Sequence, residues 1–415
     1  MTLPIKTLPI VECWTCTGCG KCCRGNIVPL DDDDLAKLHT QQWDKHPDFR
    51  GVRTVESSGW LVKSHRLAQR NDGTCVFLER DGLCRIHKEH GLDSKPLVCR
   101  MYPLQLVPVD DTAYLTLRRS CPTAANEQGS EMSEHRKDAK SFVRERPRLA
   151  EKIVPPQITK WRENSWKETL QVTGAIERLM TDERFPLIRR LVHSMKFCDL
   201  LETCRLRKLD VVSLDELVSM LSETAIEESS EFFQDREPPS KGAGVLLRQT
   251  VLAYLRLHPR YTVRESWRER LRLFWASLRF TRGKGAVPKI HKDFPDADFE
   301  SIEEPLGHLD EDVQRPFVSY FEATAVSKQY AVVSRTAWSV VEKFRALALA
   351  YPVALWMLAY FRSTDGVTHE QAIDMVTTID RGQGHDALVG TMHRRRISTL
   401  ARLGELERLA VWYAR

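Results

Sequence analysis

The chain has 415 residues, of which 42% are hydrophobic and 29% charged, with a formal net charge of +5. That balance excludes a disordered chain and a miniprotein that needs disulfide staples, because a chain of this length buries enough apolar surface to fold by itself. The small positive charge permits an acidic partner without demanding one, and the length suits two or three domains.

The first eleven residues carry one charge, Lys6, and no apolar run of signal-peptide length, so a cytoplasmic location is expected. The main signal follows at once. Nine of the 11 cysteines lie between Cys13 and Cys121. The first run reads Cys13-Trp-Thr-Cys16-Thr-Gly-Cys19-Gly-Lys-Cys22-Cys23. Two-residue spacing lets two sulfurs reach one ion from a single turn. Gly18 and Gly20 suit a loop whose backbone wraps a metal, and Lys21 and Arg24 favour thiolate over thiol. Adjacent Cys22 and Cys23 point to opposite faces of an extended backbone, so they serve different sites or sit in a tight turn that brings both round.

The run Asp31 to Asp34, ahead of Leu35 and Leu38, reads as a helix N-cap rather than a metal site. Cys75 and Cys84 lie in alternating apolar segments on either side of Asp81-Gly82, which predicts a β-hairpin that brings the two thiols together. Cys99 sits between Pro96 and Pro103, in a segment expected to be a loop or a short extended piece. Cys121 closes the set. Thiols in such polar surroundings, in a chain without a secretory segment, point to metal rather than disulfides. Zinc takes four ligands, and an iron–sulfur cluster of the 4Fe–4S type also takes four thiolates. Eight or nine thiols exceed one site, leaving two sites, or one site and redox-active spares.

From about residue 130 the pattern turns helical. Cys198 and Cys204, beside Phe197, Leu200 and Leu201, read as ordinary core cysteines. Ser213-Leu-Asp-Glu216 and Thr368-His-Glu-Gln371 read as capping boxes. Residues 235–244, with two prolines and two glycines, read as a linker dividing two helical lobes. Between Arg264 and Lys292, arginines interleave with Trp267, Phe274, Trp275 and Phe280. The expected structure is an amphipathic helix with its aromatics buried, since Glu265 and Glu269 dilute the charge; nucleic acid is not an expected partner. The uncharged stretch from Ala346 to Phe361 contains Pro352 and falls short of a membrane span, so it reads as a core helix. The chain lacks the Gly-x4-Gly-Lys-Ser/Thr phosphate loop, the Gly-x-Gly-x-x-Gly turn, the Ser nucleophile elbow and the Cys-x3-Cys-x2-Cys triplet.

The fold expected is therefore α+β. Residues 1–130 form a small cysteine-rich metal-binding module with a short hairpin, and residues 131–415 form a large, mostly helical region. The motifs Cys16-x2-Cys19-x2-Cys22-Cys23, Cys75-Val-Phe-Leu, Gly82-Leu-Cys84-Arg-Ile-His87 and Pro96-Leu-Val-Cys99-Arg100-Met-Tyr102-Pro103 resemble, in order, those of the CxxCxxCC cysteine-cluster family. These are the YkgJ-type proteins, with a zinc- or iron-chelating domain. The resemblance covers roughly residues 10 to 125 and implies a metal held by Cys16, Cys19, Cys22, Cys23, Cys75, Cys84, Cys99 and Cys121. Cys13 is a thiol beyond the family run. His87, Arg100 and Tyr102 are the polar groups to look for beside the metal. Arg100 reads first as an offset to thiolate charge. A distant similarity to flagellin lysine-N-methylases, which join such a cluster to a long helical region, implies a methyltransferase acting on a protein substrate. Asp380-Arg381 with His385 faintly resembles the end of those proteins. The other reading is a non-catalytic, metal-stapled module that docks a partner.

Overall fold

The computed structural model describes residues 2–59, 63–159, 164–204, 206, 210–261, 266–333, 337–364, 366–383, 388 and 390–415. Arg264, Glu265 and His385, named above, lie outside that set. Among the described residues eight short strands, all in the first third of the chain, build the N-terminal region: β1 (Ile5–Thr7), β2 (Cys13–Trp14), β3 (Pro29–Leu30), β4 (Val55–Ser58), β5 (Ser64–Leu67), β6 (Leu104–Val109), β7 (Thr112–Leu117) and β8 (Ser130–Glu131). They form three small sheets. One has the order β1-β7-β6, with β1 parallel to β7; β2 pairs with β8; and β3-β5-β4 is antiparallel. Between them lie the helices α1 (Asp32–Thr40), α2 (Arg85–His90), α3 (Leu97–Met101), α4 (Pro122–Ala125) and α5 (Arg136–Glu145).

The remainder is helical: α6 (Trp166–Met180), α7 (Leu187–Thr203), α8 (Val211–Glu228), α9 (Ser230–Gln234), α10 (Lys241–Leu255), α11 (Trp267–Arg282), α12 (Phe299–Ile302), α13 (Glu311–Val326), α14 (Gln329–Val332), α15 (Val340–Phe361), α16 (His369–Gln383), α17 (Thr391–Arg402) and α18 (Glu405–Tyr413). The architecture is α+β. One hydrophobic cluster runs through this whole region, from Val172 on α6 through Leu247 on α10 to Leu409 on α18. The segment between α9 and α10 is therefore a connection within a continuous core.

At the centre of that core lies α15, every residue of which is buried. Its first turn is closed by a capping box between Ser339 and Glu342, and Pro352 lies inside the helix. Among the described residues it is the one helix long and apolar enough to cross a membrane, but here other helices supply the apolar surroundings. Cys198 is fully buried in the same core and Cys204 packs against it.

Several local expectations hold. Asp31 caps α1, its carboxylate accepting from the Asp34 amide at 3.0 Å. Thr368 and Gln371 exchange both bonds of a capping box ahead of α16, at 3.3 and 2.9 Å. Others are corrected. The cap of α8 is Asp210, accepting from the Ser213 amide at 2.8 Å, so the helix starts before the predicted Ser213 box. The earlier residue wins because its carboxylate meets an amide that the helix itself leaves unpaired.

Candidate metal centre

The N-terminal cysteine loop is a backbone device. Gly20 adopts φ 65°, and a 3₁₀ turn over Lys21–Cys23 follows. That turn brings the Cys22 and Cys23 sulfurs to 3.9 Å from each other, so of the two arrangements open to this pair the tight turn is the one formed. A Cβ on Gly20 would lie 2.9 Å from the Gly82 carbonyl oxygen. Gly82, at φ 84°, approaches the Gly18 carbonyl in return. The two loops that carry Cys19–Cys23 and Cys84 thus touch backbone to backbone, which only glycine permits.

The β-hairpin expected between Cys75 and Cys84 does not form. One antiparallel bridge joins Leu78 to Cys84, and the supposed second strand becomes α2 instead. Asp81 accepts from the Leu83 amide at 3.0 Å, turning the chain, and Arg85 and Lys88 then bind Glu79 as residues of a helix. The two thiols still approach each other across the bridge. Consecutive antiparallel strands pair on either side of this segment instead, as β4–β5 before it and β6–β7 after it. Cys75 is tied to the first loop by its amide, which donates to the Cys23 carbonyl at 2.8 Å.

The Cys99 segment is also corrected. It is a one-turn helix, α3, with Pro96 at the capping position where its missing N–H costs nothing. Asp34, almost wholly buried, accepts from the Leu97 amide at 3.0 Å and so holds the start of α3. Cys99 thereby comes to lie among Cys75, Cys84 and Cys22. Burial first, then those three thiols, push the Cys99 thiol well up, while the Lys95 ammonium works the other way. Burial likewise lifts Cys75 to about 11. Cys22 is raised chiefly by the hydrogen bond it shares with Cys23. Cys23, Cys84 and Cys99 pack against the small core of Trp43, Phe49 and Phe77 that buries Cys75.

Cys121 stands apart from that group. It precedes the first turn of α4, and the Thr123 and Ala124 amides favour its thiolate, although burial outweighs them. Its thiol neighbour is Cys19. The loop of Cys16 and Cys19 reaches this spot through Thr17, whose hydroxyl lies 3.3 Å from that of Thr123. Cys16, Cys19 and Cys22 are exposed, and Cys13 lies in β2 opposite Glu131. All eleven cysteines are free thiols, with no disulfide among them. Among the described residues no three Cys, His, Asp or Glu side chains are drawn to ligand distance of one point. The donors that neighbour Cys99 are nonetheless all sulfur, from Cys22, Cys75 and Cys84, which is the chemistry of zinc or an iron–sulfur cluster rather than of a hard cation.

Of the polar groups expected beside the metal, Arg100 binds the Glu145 carboxylate at 2.5 Å and the Lys95 carbonyl at 3.1 Å. Its charge is thus matched by a carboxylate of α5 rather than by the thiolates. His87 is exposed on α2. Tyr102 donates to the Ser120 hydroxyl at 3.2 Å; burial first, and then Cys121, raise its phenol.

The helical region meets the cysteines through α16. Lys21 Nζ lies 3.9 Å from the Asp374 carboxylate. Asp380 accepts from Arg118 Nε at 3.0 Å and from the Ser120 amide at 2.8 Å, while its own carbonyl accepts from Arg118 at 2.7 Å. The next residue, Arg381, has Tyr102, Asp374, Asp380 and Cys22 as its electrostatic neighbours, and its Nε has no hydrogen-bond partner. Asp380-Arg381 was legible only as a faint family likeness; Asp374 gave no signal at all. Behind this seam lies a buried cavity of about 40 Å³, lined by Arg118, Asp380, Tyr320, Tyr330, Lys343 and His393. Burial lowers Lys343 to about 8 and His393 to about 4. A larger, open groove of about 910 Å³ runs beside β4 and Arg70, on the outer side of the module.

Residues 15–122 match the CxxCxxCC family, described as a "putative zinc- or iron-chelating domain". The matched residues carry eight of the cysteines, from Cys16 to Cys121, together with the β3-β5-β4 sheet, the β6–β7 pair and the Arg118 and Ser120 side of the seam with α16. Over 232 residues the chain is 25% identical to the uncharacterized protein MJ0939 of Methanocaldococcus jannaschii, covering 53% of this chain and 74% of that relative. No solved structure matches the chain.

Proposed function

We propose that the CxxCxxCC domain holds an iron–sulfur cluster of the 4Fe–4S type on Cys22, Cys75, Cys84 and Cys99, in a cytoplasmic metalloenzyme whose helical region binds the substrate. The carrying observation is the meeting of four thiols from three separate segments in one neighbourhood of the loop core. When bound, such a cluster supplies redox or Lewis-acid chemistry. The chain's own residues prepare the surroundings. Lys95 and Arg381 place positive charge near Cys22, which favours thiolate over thiol. Cys16, Cys19, Cys23 and Cys121 remain as the thiols of a second site or as redox-active spares.

The enzyme reading is supported by the cavity behind Arg118, a residue of the domain itself, and Asp380, a residue of the helical region. Its lining combines Arg118, Lys343, Asp380 and His393 with the apolar surfaces of Tyr320, Trp338, Ala346 and Leu388, and its volume of about 40 Å³ suits a water or the end of one side chain. Methyl transfer to a protein lysine is the finer reading, and it rests on the distant resemblance to flagellin lysine-N-methylases.

Anaerobic purification followed by iron, sulfide and zinc analysis tests the proposal. Iron with stoichiometric sulfide and broad absorption near roughly 400 nm are expected. Cys22→Ser, Cys75→Ser, Cys84→Ser and Cys99→Ser should each lower the iron content, whereas Cys198→Ser should leave it unchanged. A colourless protein with zinc and no sulfide would refute the cluster.

A further inference from the structure

The α11 helix departs from its sequence pattern in an informative way. Its aromatics were expected inside, yet Trp267 is 70% exposed, Phe274 56% and Trp275 59%, with Leu271 and Leu278 nearly half exposed. The helix buries Glu269, Ala276 and Phe280 instead. At 100° per residue the five exposed apolar side chains fall within an arc of about 100°, directly opposite the buried face. The stripe therefore points straight outward. Packing chose the other face because Phe280 meets Phe299 and Trp356 there, and because Tyr261 and Arg272 satisfy the Glu269 carboxylate.

Cations rim the stripe. On the wheel, Arg268 and Arg279 follow one border, beside Arg272 in its pair with Glu269, and Arg270 the other, and Arg282 and Lys284 close the C-terminal end. Glu269 is the sole acidic residue between Ser266 and Lys284, and it is buried and paired. Arg268 lies over the Trp267 ring at 5.5 Å, keeping charge and aromatic together at the surface. More basic residues stand close by. Gln249 on α10 binds Ser277 and Thr281 of α11 through its side chain, while its carbonyl accepts from Arg396, next to the exposed Arg395.

We propose that α11 is a peripheral membrane anchor that lies in the plane of an anionic lipid surface. Trp, Phe and Leu would enter the boundary between headgroups and acyl chains, with the arginines at the level of the phosphates. Charge complementarity selects this occupant. A second copy of the chain would bring two cationic rims together. A nucleic acid would find stacking rings, but Leu271 and Leu278 offer a base nothing, and a convex helix forms no groove to track a backbone. This inference is independent of the metal.

The test uses the full-length, metal-loaded protein in flotation assays with vesicles of phosphatidylcholine alone or mixed with phosphatidylserine. Binding is expected to require phosphatidylserine and to weaken as salt is raised. The variant Trp267→Ser/Phe274→Ser/Trp275→Ser should bind about tenfold less, with unchanged circular dichroism and metal content, since it alters only exposed side chains. Absence of flotation with phosphatidylserine vesicles would overturn the proposal, as would full binding by the variant. It would equally fall if the wild type, but not the variant, formed a dimer without lipid, or preferred single-stranded RNA to the vesicles.

Discussion

Asp380 holds two parts of the cysteine domain at once: the Arg118 guanidinium and the Ser120 amide both end on the same carboxylate oxygen. Its exposure is near zero and the Arg118 side chain is only 23% exposed, so removal of the charge leaves a largely buried guanidinium without a counter-ion. Asp380→Asn is expected to cost about 3 kcal/mol of stability, measured by urea denaturation. Arg118→Met in the same background should recover part of that loss, because the orphaned charge then disappears as well. Such pairing was not legible in the sequence, where the two residues are 262 positions apart. The cysteines were legible because each carries its chemistry in its own side chain. Arg100 shows the opposite case: its neighbourhood in the sequence suggested a partner for thiolates, and a carboxylate from α5 took the charge.

The helix α3 illustrates how an element acquires a role that its sequence does not announce. The five residues of α3, between Pro96 and Pro103, are too few to form a helix by propensity, since nucleation is costly. The amide of its first residue, Leu97, finds the Asp34 carboxylate, which comes from the first turn of α1. The acidic run thus has two uses: Asp31 caps α1 and Asp34 caps α3. Asp34→Ala should lower stability by about 1–2 kcal/mol, read from the thermal or urea midpoint. It should also reduce metal occupancy, because Cys99 rides on the tethered helix, whereas Asp34→Asn keeps an acceptor and should do less. The failed hairpin has the same origin. Alternation around Asp81-Gly82 fitted a strand pair, but the ion pairs from Glu79 to Arg85 and Lys88 stabilise a turn followed by a helix.

At the scale of the whole molecule, the cysteine domain is docked on a large helical core, and the contact region is rich in charge. His258 lies at this level, stacked on Phe361 at 4.4 Å and almost completely buried. Burial lowers its pKa to about 3, with Arg260, Arg381, Lys21 and His291 adding to the effect. Since the folded value lies below the unfolded one, its contribution is intact above about pH 6.5 and is lost as pH falls toward 3. Stability should therefore decline on acidification through that window, with a slope that approaches about 1.4 kcal/mol per pH unit for this group alone. In a His258→Gln variant the urea midpoint should depend less steeply on pH across the same range. The sequence by itself determined the class of chemistry, the α+β division and the buried character of α15, because thiol spacing and apolar periodicity are local properties of the chain. The tertiary structure alone decided which thiols neighbour Cys99, which acid holds the start of α3 and that α11 turns Trp267, Phe274 and Trp275 outward. Those outcomes depend on distant groups competing for the same charge, hydrogen bond or packing face, and no window of sequence contains both competitors.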